Sequence, residues 1–209
     1  MIKCNVTVCG RVSRTAQMRP GKDGKEFLSF GVNVNIPGKE GDSRMIDISV
    51  AKDGGTLQEA ASFPVGTRVE VAGILTMRKK DDKIYFNMSA TGINTFDAGN
   101  EDSIKGDIEF RGTIGRNIDT KQDKKGGNYC VFFAYSSEKT GTDDEGKALY
   151  EYLWVHFIHF GQSQPDWMQP KSGINAKGEL RLSVFRERLD IECRVSELTE
   201  WKKDSQPNA

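Results

Sequence analysis

The chain has 209 residues, is 36% hydrophobic and 29% charged, and sets 30 Lys and Arg against 30 Asp and Glu. This is an ordinary globular composition, and no stretch approaches the ~18 apolar residues of a membrane-spanning helix. The opening Met1-Ile2-Lys3-Cys4-Asn5-Val6 has no basic region followed by an apolar run, so no secretory leader is expected and a cytoplasmic location is.

Strand signals come first and stay dense. Asn5–Val12 alternates toward Gly10, and Phe27–Ile36 puts Leu28, Phe30, Val32 and Val34 on one face. Met45–Ala51 does the same with Ile46, Ile48 and Val50. One helical stretch, Thr56–Phe63, is closed by Pro64 and Gly66. Two more strands, Arg68–Arg78 and Lys83–Phe96, flank a charged hairpin at Lys79-Lys80-Asp81-Asp82. An acidic, Gly-containing stretch follows, predicting a connector over residues 97–107.

The pattern then repeats. Gly10 in VCGRVSR answers to Gly112 in FRGTIGR, and Phe30 to Phe132, both at an offset of 102. Gly73 in VAGIL answers to Gly178 in AKGEL, and Phe96 to Trp201, both at 105. A period this long means two tandem domains, because solenoid repeats run to roughly 20–50 residues. The domains are expected over 1–96 and 108–201, with a frayed tail over 202–209. In the second unit Pro165 and Pro170 leave room for only a turn of the helix that the first unit carries.

Three strands, a short helix and two strands is the order of the OB-fold, a five-stranded Greek-key barrel. The fold class predicted is therefore mainly all-β, two tandem OB-folds, the first with a short helix between its third and fourth strands. Fold alone does not give function, but period-two parity says which side chains face out. In the second unit Cys130, Phe132 and Ala134 match the inward residues of the first. Tyr129, Val131, Phe133 and Tyr135 then face outward. On the next strand Leu153, Val155 and Phe157 are inward, and Trp154, His156, Ile158 and Phe160 outward. Five aromatics thus share one face. The first unit has Met45, Asp47, Ser49 and Ala51 at the matching positions. It keeps instead Phe27 and Tyr85 and the cations Arg11, Arg14, Arg19, Lys22, Arg78, Lys79 and Lys80.

Gly10-Arg11-Val12-Ser13-Arg14 through Met18-Arg19-Pro20-Gly21 resembles the first strand and loop of bacterial and phage-type single-stranded DNA-binding proteins. Gly73-Ile74-Leu75-Thr76-Met77-Arg78-Lys79 is similar to their E-G-x-L-R-T-R-K segment. In the second unit YEYLWVHFIHFG (Tyr150–Gly161) is similar to their E-W-H-R-V-V-x-F-G strand, with Trp154, Phe160 and Gly161 in register. The resemblance implies sequence-independent binding of single-stranded DNA, with RNA left open. It also implies a homodimer of this chain presenting four OB-folds. Trp154 and Phe160 fall where the family stacks bases. Phe185, with Arg186 and Arg188, sits at the fourth hairpin's tip, where another stacking residue is expected. Arg116, Arg14, Arg19, Arg78, Lys79 and Lys80 are the expected phosphate contacts, with Tyr129, Phe133, Tyr135, Phe27 and Tyr85 as further aromatics. Members of the family end in a Gly-rich linker and an acidic tip that recruits replication or recombination proteins. Here the sequence ends Ser205-Gln206-Pro207-Asn208-Ala209, which would suit a phage, plasmid or mobile-element version, or an accessory protein.

A competing reading is an assembly module, with the aromatic face buried in a protein partner. Net charge is only +4 over residues 1–96 (14 Lys and Arg against 10 Asp and Glu), −3 over 97–108 and −1 over 109–209. That is no strong basic field. Catalysis is not expected: there is no phosphate loop and no H-E-x-x-H, and His156 and His159 have opposite parity. No cofactor is implied. Cys4, Cys9, Cys130 and Cys193 include no C-x-x-C, which speaks against zinc and for buried reduced thiols.

Overall fold

The computed structural model describes residues 1–38, 41–95, 98–161 and 164–202. Ten strands and one helix follow in chain order. They are β1 (Ile2–Pro20), β2 (Glu26–Pro37), β3 (Ser43–Asp53), α1 (Leu57–Ala61), β4 (Arg68–Lys80) and β5 (Lys83–Asn94). The second series is β6 (Ser103–Gln122), β7 (Asn128–Thr142), β8 (Ala148–Phe160), β9 (Gly173–Phe185) and β10 (Arg188–Glu200). In the first series the hydrogen-bonded order is β2-β3-β5-β4-β1, and β1 closes back onto β2. In the second it is β6-β7-β8-β10-β9, with β6 closing onto β9. Each is a five-stranded closed barrel in OB order. The two OB-folds expected from the sequence are present.

Closure depends on long first strands. β1 pairs with β4 from Lys3 to Arg11 and with β2 from Arg11 to Pro20, bending at irregularities between Val12 and Gln17. Where it crosses, the backbones approach so closely that a Cβ on Gly10 would strike the Asn33 carbonyl oxygen. A Cβ on Gly112 would strike that of Tyr135. The repeated glycines are thus sites with no room for a side chain.

The inward parity fills both barrels. Leu28, Phe30, Val32, Ile48, Val50, Val71, Leu75 and Met88 are buried in the first. α1 opens on Thr56, whose hydroxyl accepts from the Glu59 N–H at 3.1 Å, and Glu59 pairs with Lys52 at 2.9 Å. The helix brings in Phe63, stacked on Phe30 at 5.6 Å. In the second barrel Phe132 stacks on Phe157 at 5.0 Å, and Phe110 meets Phe157 edge-on at 4.9 Å. Between β8 and β9 the described residues 164–172 form turns and no helix, and the fully buried Met168 takes the place of helix side chains. The two prolines thus remove even the single helical turn that the sequence allowed. All four cysteines are buried thiols outside any disulfide.

By contact, Lys3–Asp107 together with Arg181–Asp190 form one compact body. Met1–Ile2, Ile108–Leu180 and the chain from Ile191 form the other. The connector expected over 97–107 is partly strand: β6 already begins at Ser103, and Asp102 is held by the Arg68 guanidinium and the Asn35 N–H. Phe96, Asp97 and the tail beyond Lys202 lie outside the described residues.

Candidate nucleic-acid interface

β7 and β8 are antiparallel, and their register sets outward residues directly opposite one another. Tyr129 faces Phe160, Val131 faces Ile158, Phe133 faces His156, and Tyr135 faces Trp154. Directly opposed side chains on one sheet face interact, and these do. Ring centroids are 5.3 Å apart for Tyr129–Phe160, 4.8 Å for Phe133–His156 (nearly parallel) and 4.9 Å for Tyr135–Trp154. Tyr152 meets Tyr135 edge-on at 5.4 Å. The result is a row of three aromatic pairs along two strands, the Tyr129–Phe160 pair set off from the other two by the aliphatic Val131–Ile158 pair. It is open to solvent: Phe133 is 50% exposed, Trp154 49% and Phe160 48%. Contiguous exposed apolar surface is the kind that marks interaction sites on proteins.

Cations border the row. The Arg194 guanidinium lies 6.0 Å from the centre of the Phe160 ring. It is carried there because β10 runs parallel to β8, with Arg194 opposite Ile158 and Glu192 opposite His156. Glu192 holds Arg194 at 3.4 Å and lies 3.8 Å from Nδ1 of His156. Arg116 is exposed on β6 beside the irregularity between Ile114 and Ile118. On the opposite face of β8, burial lowers the pKa of His159 below its ordinary 6.5.

Trp154 owes its place to a missing side chain. A Cβ on Gly115 would stand 3.2 Å from Cζ3 of its indole. The equivalent pair in the first barrel is Ser13 and Asp47, and there the serine hydroxyl donates to the carboxylate at 2.7 Å. Arg14 also lies over this strand, donating to the Ser49 hydroxyl at 3.3 Å. The first barrel's outer face is thus Arg14, Asp47, Ser49 and an exposed Met45, with no aromatic row.

The other predicted residues scatter. Arg19 lies opposite the half-buried Phe27 at the end of β1, and Arg78 opposite the exposed Tyr85. Lys79 is paired with Asp82 at 3.0 Å, and Lys80 faces Lys83. Phe185 is exposed at the β9–β10 tip with Arg186 5.1 Å over its ring, and the turn is Arg186-Glu187, both at positive φ. Arg188 follows at the start of β10. This tip clusters with residues 3–107, and Arg44 donates to the Glu187 carbonyl at 3.2 Å. Residues that parity reasoning left out are His156 as a stacked partner, Tyr150, Tyr152, Arg194, Arg111 and Trp201. The two tyrosines continue the Trp154 parity backward along β8 and were open to the same test. Arg194 needed the β8–β10 pairing, which local sequence does not show.

No protein-family model matches the chain, and no curated protein does. Solved structures similar to it include the wild-type single-stranded DNA-binding protein from Thermus aquaticus. That match is 13% identical, spans 100% of this chain and 97% of that one, and has a TM-score of 0.47. The small single-stranded DNA-binding protein from Streptomyces coelicolor matches 47% of this chain and 95% of its own at 20% identity, TM-score 0.34. A Plasmodium falciparum SSB in complex with ssDNA matches 50% of this chain and 100% of its own at 17% identity, TM-score 0.36. At these identities and scores, fold and site rest on the strands and side chains described above. Among the described residues no helix is long and apolar enough to cross a membrane.

Proposed function

We propose that the chain binds single-stranded DNA without sequence preference, stacking bases on the aromatic row of β7 and β8. The carrying observation is the solvent-open pairing of Tyr135 with Trp154 and of Tyr129 with Phe160, bordered by Arg194. Every base has a π-face, so a row of rings accepts any sequence, and each stacked base contributes about 1–3 kcal/mol. Duplex bases are already stacked on one another and cannot use such a row. The first barrel's role on this reading is phosphate contact through Arg14, Arg19 and Arg78, since Asp47 replaces the tryptophan position. Protection of single strands in replication, recombination or repair is the setting that such binding suits, and a homodimer would double the number of rows.

Titration of intrinsic tryptophan fluorescence with an oligothymidylate at two salt concentrations tests this. With a strand of about 5 residues the expected result is quenching that weakens at the higher salt and is largely lost in Trp154→Ala, with affinity down about 5- to 150-fold. Absence of quenching by a folded protein at low salt would leave the row as a surface for protein assembly.

A further inference from the structure

Beside the row lies a groove of about 320 Å³ lined by Arg111, Thr113, Tyr135, Tyr150, Tyr152 and Trp201, among others. Its parts come from three places in the barrel. Arg111 and Thr113 are on β6, the tyrosines on β7 and β8, and Trp201 follows β10. Trp201 is anchored by its own N–H, which donates to the Gly173 carbonyl at 2.9 Å. The Arg111 guanidinium lies 5.5 Å from the centre of the Trp201 ring, and its Nε donates to Asn175 at 2.8 Å. This cation is held in place over an aromatic plane. Tyr150 and Tyr152 stand about half exposed on the same face of β8 as Trp154.

Tyr135 belongs to both features. It packs against Trp154 at 4.9 Å and Tyr152 at 5.4 Å, and it lines the groove with Trp201. The groove is therefore the continuation of the aromatic row, not a separate cavity. We infer that it is a second stacking subsite, taking the nucleotides at one end of a bound strand. Bases stack on the Tyr152 and Trp201 rings and a backbone phosphate meets Arg111. The ligand class follows from the lining: a fixed guanidinium among aromatic planes matches alternating phosphates and bases. This inference rests on the single-strand reading of the row.

Because the subsite lies past the row, only a strand long enough to run over both should use it. OB-folds occupy about 4–16 nucleotides, so oligothymidylates of about 5 and about 16 residues bracket the range. Affinities of wild type, Trp201→Ala, Arg111→Gln and the surface variant Tyr150→Ala would be compared on both lengths, with circular dichroism to confirm folding. The expected result is about a tenfold loss on the longer strand for Trp201→Ala and Arg111→Gln, with the shorter strand unaffected. Tyr150→Ala, which lines the groove without touching the row, should show the same length-selective loss. Unchanged binding at both lengths, or equal losses at both, would overturn the subsite while Trp154 quenching still upheld the row. Failure of the wild type to bind either length would overturn both.

Discussion

A methyl group at Gly115 would stand 3.2 Å from the Trp154 indole and 3.0 Å from the Phe133 carbonyl oxygen. Such contacts are too tight to absorb without moving the ring. Gly115→Ala is accordingly expected to weaken oligothymidylate binding severalfold while leaving the protein folded, read by fluorescence titration beside a thermal melt. The same two positions in the first barrel hold Ser13 and Asp47 joined by a hydrogen bond, so single residues separate an aromatic face from a polar one. His159 is a second case. Burial holds its pKa below 6.5, so the unfolded chain binds the proton more readily. Its contribution to stability is full above about pH 6.5 and is lost as pH falls from there through the lowered folded value. Urea midpoints measured across pH 5–8 should decline on the acid side, and His159→Gln should flatten that decline.

At the scale of the element, glycine spacing carries information that hydrophobic patterning does not. Gly73 and Gly178, the second pair of repeat anchors, have no room for a Cβ against the carbonyl oxygens of Ser89 and Arg194. Gly178→Ala is expected to cost about 1–3 kcal/mol or more in urea denaturation, and Gly73→Ala likewise. Strand order and inward faces were legible because each barrel buries one side of every strand, so Leu28, Phe30 and Val32 alternate cleanly with half-exposed or exposed neighbours across most of β2. Strand ends were not. β1 continues past Val12 to Pro20, where most side chains are exposed and no buried stripe marks the chain as extended. The β7–β8 arm beyond Ser137 has the same character. The parallel β8–β10 pairing that delivers Arg194, and the approach of Trp201 to Arg111, are tertiary facts with no local signature.

The whole molecule carries two barrels of one topology and two different surfaces. Net charge is zero, so electrostatic attraction to phosphates must come from local cations, not from a general basic field. Each lost phosphate contact on a single strand lowers the log–log salt slope of binding by about 0.7. Replacing Arg14, Arg19 and Arg78 together should therefore flatten the salt dependence by about two units with Trp154 quenching retained. Trp154→Ala should lower affinity with the slope unchanged. Photochemical crosslinking of a 5-bromouracil-substituted single strand, followed by mass spectrometry of the peptides, asks where the bases lie. Crosslinks concentrated in residues 128–160, at Trp154 and its neighbours, are the predicted result. Crosslinks confined to the first barrel, or none from a protein that binds the strand tightly, would contradict base stacking on the β7–β8 row.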